Sequence, residues 1–287
     1  MSWTEIKVAH AKLLGAAKDP SDDLRLAWQE FEDVVQKTSE NPPYHLRSVL
    51  KTIGALASDD RKSEIAILDH GCGSAATLLY LAARGYTNIY GVDVGGPCEN
   101  LNRLTGEVFG SATEKFFVYD GQQLPLEDDS IDVVISQEVL EHVGDAQLES
   151  YYSEEVRVLR QGGLAVHSVP HRLVPYDSHS RTWFMHWVLP RTLWVRAVQL
   201  LGRSTGTVER ALFLRWPSVH KKMLRKNFVQ YSDITKNRLL DLTDFDYYDG
   251  NLSLRVLIAR LVSLPFVGVL FVNILSNFVM LDTVSRK

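Results

Sequence analysis

The feature that most constrains this chain is a change of period at Glu64. From there short apolar runs alternate with helical stretches. The pattern predicts strands at Ile65–Leu68, Ile89–Val92, Phe116–Tyr119, Ile131–Ile135 and Leu164–Val169, with helices at Ala75–Arg84, Glu99–Phe109 and Asp145–Leu159. Strands that are apolar throughout must be covered on both faces, which means a parallel sheet in a doubly wound α/β fold. Residues 1–64 instead read as helices: Leu24, Ala27, Trp28, Phe31, Val34 and Val35 recur at helical spacing after an opening at Asp19-Pro20-Ser21. Asn41-Pro42-Pro43 breaks the chain before a third helix at His45–Ala57. After Pro170 the alternation stops. The expected organisation is a helical cap (1–64), a ligand-binding core (65–170) and a basic, aromatic and apolar region (171–287) facing substrate or membrane.

Composition narrows the class. The 287 residues hold 45% hydrophobic and 23% charged side chains, ordinary for a folded globular chain and unlike a disordered or polytopic membrane protein. Two cysteines, Cys72 and Cys98, make no disulfide framework, and the N-terminus lacks the basic start and apolar run of a signal peptide. The expected location is cytoplasmic. The net charge of −4 is uneven: 12 Lys/Arg against 3 Asp/Glu lie between Asp177 and Arg238, a local +9 that leaves −13 elsewhere.

The chemistry begins at Ile67-Leu68-Asp69-His70-Gly71-Cys72-Gly73-Ser74-Ala75, where a strand ends, glycines turn and a helix starts. Ligands bind at the carboxyl ends of such strands. A dinucleotide would put its pyrophosphate on this helix start, but the Asp69 carboxylate would repel it. That acid suits a cationic ligand, and S-adenosylmethionine carries an ammonium and a sulfonium but no phosphate. The second strand ends in Asp93, followed by Val94, placed to take ribose hydroxyls. The third leads to Asp120-Gly121, where an acid can accept from an adenine amino group.

On these residues the chain resembles class I S-adenosylmethionine-dependent methyltransferases, of the small-molecule, methyltransferase type 11-like kind with a D-x-G-C-G-x-G loop. The likeness runs from about Ile65 to Pro170. Asp69, Gly71 and Gly73 match the loop, Asp93 the ribose acid and Asp120-Gly121 the adenine acid. Leu124-Pro125-Leu126, Asp129–Val134, Gln137–Val143 and Val158–Gly163 match further segments. Ala75 departs from the pattern, standing where a third glycine is usual. The resemblance implies S-adenosyl-L-methionine as cofactor, with Gln137 beside its methionine end. It also implies a seven-stranded, mostly parallel, Rossmann-like sheet with the helical insertion before its last strand. The final strands are expected at Phe228–Tyr231 and Phe278–Ser285, the latter antiparallel.

For the proton of a hydroxyl acceptor, histidine is the usual base near neutral pH. His142, His167, His171 and His179 are candidates. His167 reads as a core residue, and His171 and His142 are ranked first because both are expected at the site's mouth. Glu138, Glu141 and His142 have the E-x-x-E-H spacing of metal-assisted O-methyltransferases acting on quinone precursors, but many relatives share the segment without a metal, and none is assigned.

Trp183, Trp187, Trp194 and Trp216 lie among the arginines and lysines, as in helices on anionic membranes. The uncharged Leu261–Leu281 has the length of a span. Divided into a helix interrupted by Pro265 and a last strand, it reads instead as part of an apolar helical hairpin, Leu254–Asn273, lying on the membrane or capping the acceptor pocket. Pro170-His171-Arg172, the Asp177-x-His179 pair and His186-Trp187-x-Leu189-Pro190 resemble, more loosely, methyltransferases of bacterial surface-glycan and lipid-linked sugar pathways. The expected acceptor is a membrane-proximal glycan or glycolipid sugar, with a small-molecule quinone precursor or phenol as the rival and an inactive binding protein of the same fold as the third reading. The enzyme is then peripheral on the inner face of the membrane. Nucleic acid is not an expected partner: the core is acidic, and Asn41-Pro42-Pro43-Tyr44 precedes the first strand rather than following the fourth.

Overall fold

The structure, a computed structural model, describes residues 3–37, 42–56, 59–241, 261–262, 264 and 266–287. Three helices come first, α1 (Trp3–Lys18), α2 (Leu24–Lys37) and α3 (Tyr44–Gly54). Asp23 starts α2, its Oδ1 accepting from the amides of Arg25 (3.0 Å) and Leu26 (3.1 Å). Pro20 therefore sits in the preceding turn rather than in the helix.

The alternating part follows as β1 (Ile67–His70), α4 (Ala76–Ala83), β2 (Ile89–Asp93), α5 (Cys98–Phe109), β3 (Phe116–Val118), β4 (Ile131–Gln137), α6 (Leu148–Val158) and β5 (Leu159–Val169). A two-stranded ribbon, β6 (Tyr176–Asp177) and β7 (Thr182–Trp183), opens the insertion. It continues through α7 (Met185–Val188), α8 (Arg191–Leu200), α9 (Gly206–Arg210) and α10 (Pro217–Asn227). Then come β8 (Gln230–Asp233), α11 (Thr235–Leu240), α12 (Val267–Leu275) and β9 (Leu281–Arg286).

The sheet order is β3-β2-β1-β4-β5-β9-β8. The pairs from β3 to β5 are parallel, and β9 runs antiparallel to both neighbours. The doubly wound, seven-stranded expectation holds, including the antiparallel last strand inserted beside the fifth. Alternation along the strands divides the core. Val133, Ile135 and Val166 pack under α1, α2, α4 and α5, whereas Leu68, Val134 and Ala165 pack under α6 and α10.

Several boundaries moved: the third helix is Tyr44–Gly54 and the last strands are Gln230–Asp233 and Leu281–Arg286, and β1 and β5 moved as well. β1 lies two residues later than the apolar run suggested, because its register is set by Ile67 beside Ile89 and Val133. Asp69 is consequently inside the strand, level with Gly91 and Ile135, and buried. β5 starts at Leu159 and bulges through Arg160–Gly163 before regular pairing resumes at Leu164.

The basic region also reads differently once folded. Trp194 is buried with Val198, Val208 and Leu212 in a small core of its own, so it is not an interfacial side chain. Pro190 separates α7 from α8, and neighbouring apolar residues part: Trp194 faces in, while Leu193 and Leu201 face out. Several cations are used internally. Arg215 bonds the Leu140 and Val143 carbonyls and Asp145, Arg191 bonds the Val208 and Glu209 carbonyls, and Lys221 pairs with Asp233. Of the expected hairpin, residues 254–260, 263 and 265 lie outside the described residues, which retain its second part as α12. Among the described residues no helix is long and apolar enough to cross a membrane.

Candidate active site

The glycine turn is built by close backbone approach. Gly71 and Cys72 both donate to the Val92 carbonyl, at 2.7 and 3.2 Å, tying the end of β1 to β2. Gly71 has φ +93°, and a Cβ there would stand 2.4 Å from Val139 Cγ2, so only glycine fits. Ala75 has φ +59°, a left-handed conformation at the start of α4. That conformation is why a glycine is usual at this position, and alanine holds it at a cost of about 1–2 kcal/mol.

Asp93 fixes the turn from the other side: Oδ2 accepts from Gly73 N at 2.8 Å and Oδ1 from Gly95 N at 3.0 Å. Asp120 closes its own loop, accepting from the amides of Gln122 and Gln123, and Gly121 follows with φ +78°. Burial, and then the nearby Asp93 charge, push the Asp69 carboxyl up to about 7. A buried acid poised in this way is stabilised as a carboxylate by an incoming cation.

Two clefts meet at Gly71 and Glu138. One, of about 510 Å³, is lined by Asp93, Val94, Tyr119, Asp120, Gly121, Val139 and His142 among others. The other, of about 290 Å³, is lined by Asp69, Gly71, Cys72, Gln137 and Ser168, with His45, Arg238 and Met280. The larger cleft of about 700 Å³ between α3, β8, β9 and α11 contains none of the turn residues. Glu138, at the junction, has φ +57° directly after β4. Strained backbone of this kind concentrates at functional sites.

A methyl donor of the expected type fits these residues: the glycine cradle leaves no room for a Cβ, a buried carboxylate stands beside it, and two further acids border the joined cleft. The comparisons agree with the geometry. Residues 68–167 match a family model described as a methyltransferase domain. This segment is a class I, S-adenosylmethionine-dependent methyltransferase domain.

An uncharacterized methyltransferase of Mycobacterium ulcerans (strain Agy99) is 35% identical over 113 residues, which is 39% of this chain and 42% of the relative. One of Mycolicibacterium vanbaalenii (strain DSM 7251 / JCM 13017 / BCRC 16820 / KCTC 9966 / NRRL B-24157 / PYR-1) is 32% identical over 123 residues, 43% of this chain and 46% of the relative. The chain thus spans less than half the length of the curated relatives it matches. Among solved structures, a geranyl diphosphate C-methyltransferase from Streptomyces coelicolor A3(2) is 14% identical with a TM-score of 0.46, over 95% of this chain and 84% of that one. An S-adenosylmethionine dependent methyltransferase from Mesorhizobium loti is 16% identical with a TM-score of 0.45, over 78% and 91%.

Around the methyltransferase domain the candidate bases separate. His171 is not at the mouth: it is buried, accepts from Leu173 N, lines neither cleft, and burial lowers it to about 4. Its place just after β5 carries it under the insertion instead. His142 lines the 510 Å³ cleft and meets His179, Nε2 to Nε2, at 3.2 Å. The other nitrogen of His179 lies 3.2 Å from Asp177 Oδ1, and that hydrogen bond raises His179 above the ordinary histidine value. Burial opposes ionisation of Asp177, yet its hydrogen bonds from His179 and Ser180 hold it below the usual range. Beside them Glu141 is fully buried, and burial pushes it up to about 8.

His167 is a core residue. Together with His70 it holds the buried Glu155, at 2.8 and 3.1 Å. Gln137 lines the smaller cleft and donates to the His45 carbonyl at 3.3 Å. Sequence reasoning missed His45 and Arg238. His45 comes from the helical cap; Arg238, paired with Asp282 at 2.7 Å, comes from α11. Neither lies in a local motif, so only tertiary contact reveals them.

Proposed function

We propose that the whole chain is an active S-adenosylmethionine-dependent methyltransferase that acts on oxygen of a membrane-proximal acceptor, a glycan or glycolipid sugar. The observation that carries the activity is the glycine turn bordered by Asp69, Asp93 and Asp120. Asp69 is proposed to bind the ammonium end of the cofactor, with Gln137 beside it. Asp93 is proposed to take the ribose, with Val94 and Asp120-Gly121 around the base. Gly71 and Gly73 let the backbone come close. The cofactor supplies an electrophilic methyl group on a sulfonium. The protein's part is to align the acceptor and relieve its hydroxyl of a proton. The His142–His179–Asp177 group is the proposed place for that step, since His142 lines the cleft and His171 does not.

The lipid-linked acceptor is supported by the surface of the insertion. The rings of Tyr176, Trp183, Phe184, Trp187 and Phe278 follow one another at centroid spacings of 5.1–6.0 Å. Trp183 is 60% exposed, and Val269, Leu270 and Ile274 of α12 are exposed as well. Contiguous exposed apolar surface of this kind marks a protein or membrane contact. The proposed location is the inner membrane face, bound peripherally, and the proposed division of labour is cap (1–64), cofactor core (65–170) and acceptor region (171–287).

Calorimetry with S-adenosylmethionine, then transfer of labelled methyl to lipid-linked sugars and to quinone precursors, tests this reading. Saturable binding and labelled lipid-linked sugar are expected. Absence of binding overturns the enzyme, and label only in quinone precursors overturns the acceptor.

A further inference from the structure

The Glu141, His142 and His179 side chains converge without being mutually satisfied. A single ligand atom from each lies within 4.8 Å of the other two. Glu141 is 0% exposed, and among the described residues neither of its carboxylate oxygens has a hydrogen-bond partner. Leaving such a group buried without a partner is unfavourable, and more so when it is charged. One Glu141 oxygen lies 3.9 Å from His142 Nε2.

The imidazole tautomers are fixed from outside. His142 Nδ1 lies 2.6 Å from the Ala211 carbonyl, which can only accept, so Nδ1 carries the hydrogen. His179 Nδ1 faces the Asp177 carboxylate, whose other oxygen accepts from Ser180 N at 2.7 Å. That ring is held the same way. With Nδ1 the hydrogen-bearing nitrogen turned outward on each ring, the two Nε2 atoms are directed at each other across 3.2 Å. Such an arrangement needs a cation. A proton could bridge the nitrogens, but it would leave Glu141 unpaired.

We propose that Glu141, His142 and His179 bind one divalent transition-metal ion of the Zn²⁺ type. Two nitrogens on one tetrahedral ion at about 2.0–2.1 Å stand roughly 3.3–3.4 Å apart, close to the spacing seen here. Imidazole donors favour Zn²⁺, iron or nickel over Mg²⁺. The Asp177 carboxylate and the Ala211 carbonyl play the orienting part that outer partners of metal-bound histidines play. Three protein ligands leave a coordination position open, and one of the three, His142, lines the cleft. The third ligand is His179 of the insertion, rather than the Glu138 that completes the local E-x-x-E-H spacing. A site assembled across the insertion was not visible from the segment alone.

The test uses the full chain, stripped with chelator and titrated with Zn²⁺ by calorimetry and metal analysis, without methyl donor or acceptor. Its outcome is thereby separate from that of the transferase reading. One equivalent is expected, with Mg²⁺ binding far more weakly. His179→Ala and Glu141→Gln should each weaken Zn²⁺ by more than about 100-fold, and Asp177→Asn by about 10-fold. Glu141→Gln keeps the size and shape of the side chain, and circular dichroism checks that the fold is retained. Failure of the wild-type chain to take up an equivalent, or equal uptake by Glu141→Gln and His179→Ala, overturns the site.

Discussion

Asp69→Asn separates the cost of the site from its use. Asp69 sits within β1 at 7% exposure, and its carboxyl is raised from 3.8 to about 7. The folded chain therefore holds this proton more tightly than the unfolded chain does. Below about pH 4 both states are protonated and the group costs nothing. Between pH 4 and 7 the unfolded state ionises first, so stability falls as pH rises, and above pH 7 the cost is constant. Three units at about 1.36 kcal/mol each set it at about 4 kcal/mol, an upper figure because asparagine still needs hydrogen-bond partners. Asp69→Asn should be more stable than wild type in urea at pH 8, by up to that amount, and equal to it near pH 4. The same variant should bind S-adenosylmethionine about 10- to 100-fold more weakly, since a hydrogen bond to a charged group is worth about 1.5–3 kcal/mol. Wild-type affinity should itself drop about fivefold from pH 7 to pH 6, where protonated Asp69 must first lose its proton. A variant less stable than wild type at pH 8, or with undiminished affinity, would falsify the assignment of Asp69 as a buried acid kept for a cation.

Other perturbations reach other parts of the site. Gly71→Ala drives a Cβ into Val139 at φ +93°, and overpacking alone should cost about 1–3 kcal/mol in urea unfolding; Val139→Ala in the same chain should recover part of it. Glu155→Ala leaves His70 and His167 without their buried partner and should lose about 3–5 kcal/mol, read from the urea midpoint, with no loss expected if the three groups were independent. Arg215→Ala removes bonds to two carbonyls of the segment after β4; thermal unfolding should fall, and the His142–His179 spacing with it, giving weaker Zn²⁺ uptake. Trp187→Ser should reduce recovery on anionic liposomes while leaving calorimetric S-adenosylmethionine binding unchanged, and equal recovery would remove the membrane role from the aromatic row.

The architecture was legible because it is written in local period. Alternating β and α segments, the Gly71–Gly73 turn and the acids at 69, 93 and 120 are each read from a few neighbouring residues at a strand end. The offset in β1 arose because Ile65 and Ala66 are as apolar as the strand, and only pairing with β2 and β4 sets the register. His171 illustrates a different limit: its position after β5 is that of a site residue, but the insertion folds over it. The Glu141–His142–His179 cluster and the Glu155 pair with His70 and His167 join distant residues, and no spacing announces them. Trp194 and Leu193, adjacent in a basic amphipathic stretch, went to opposite sides because the insertion builds a core of its own.

The position of β9 has a consequence for how this protein folds. Val169 pairs with Leu281 although more than a hundred residues intervene. Closing so long a loop is entropically slow and precedes any reward from the contact. Until it happens, β5 and β8 each present an open hydrogen-bonding edge, the kind that recruits strands from neighbouring molecules. Expression at high concentration or temperature should therefore reveal self-association through these two strands, and agents that hasten the arrival of β9 should suppress it.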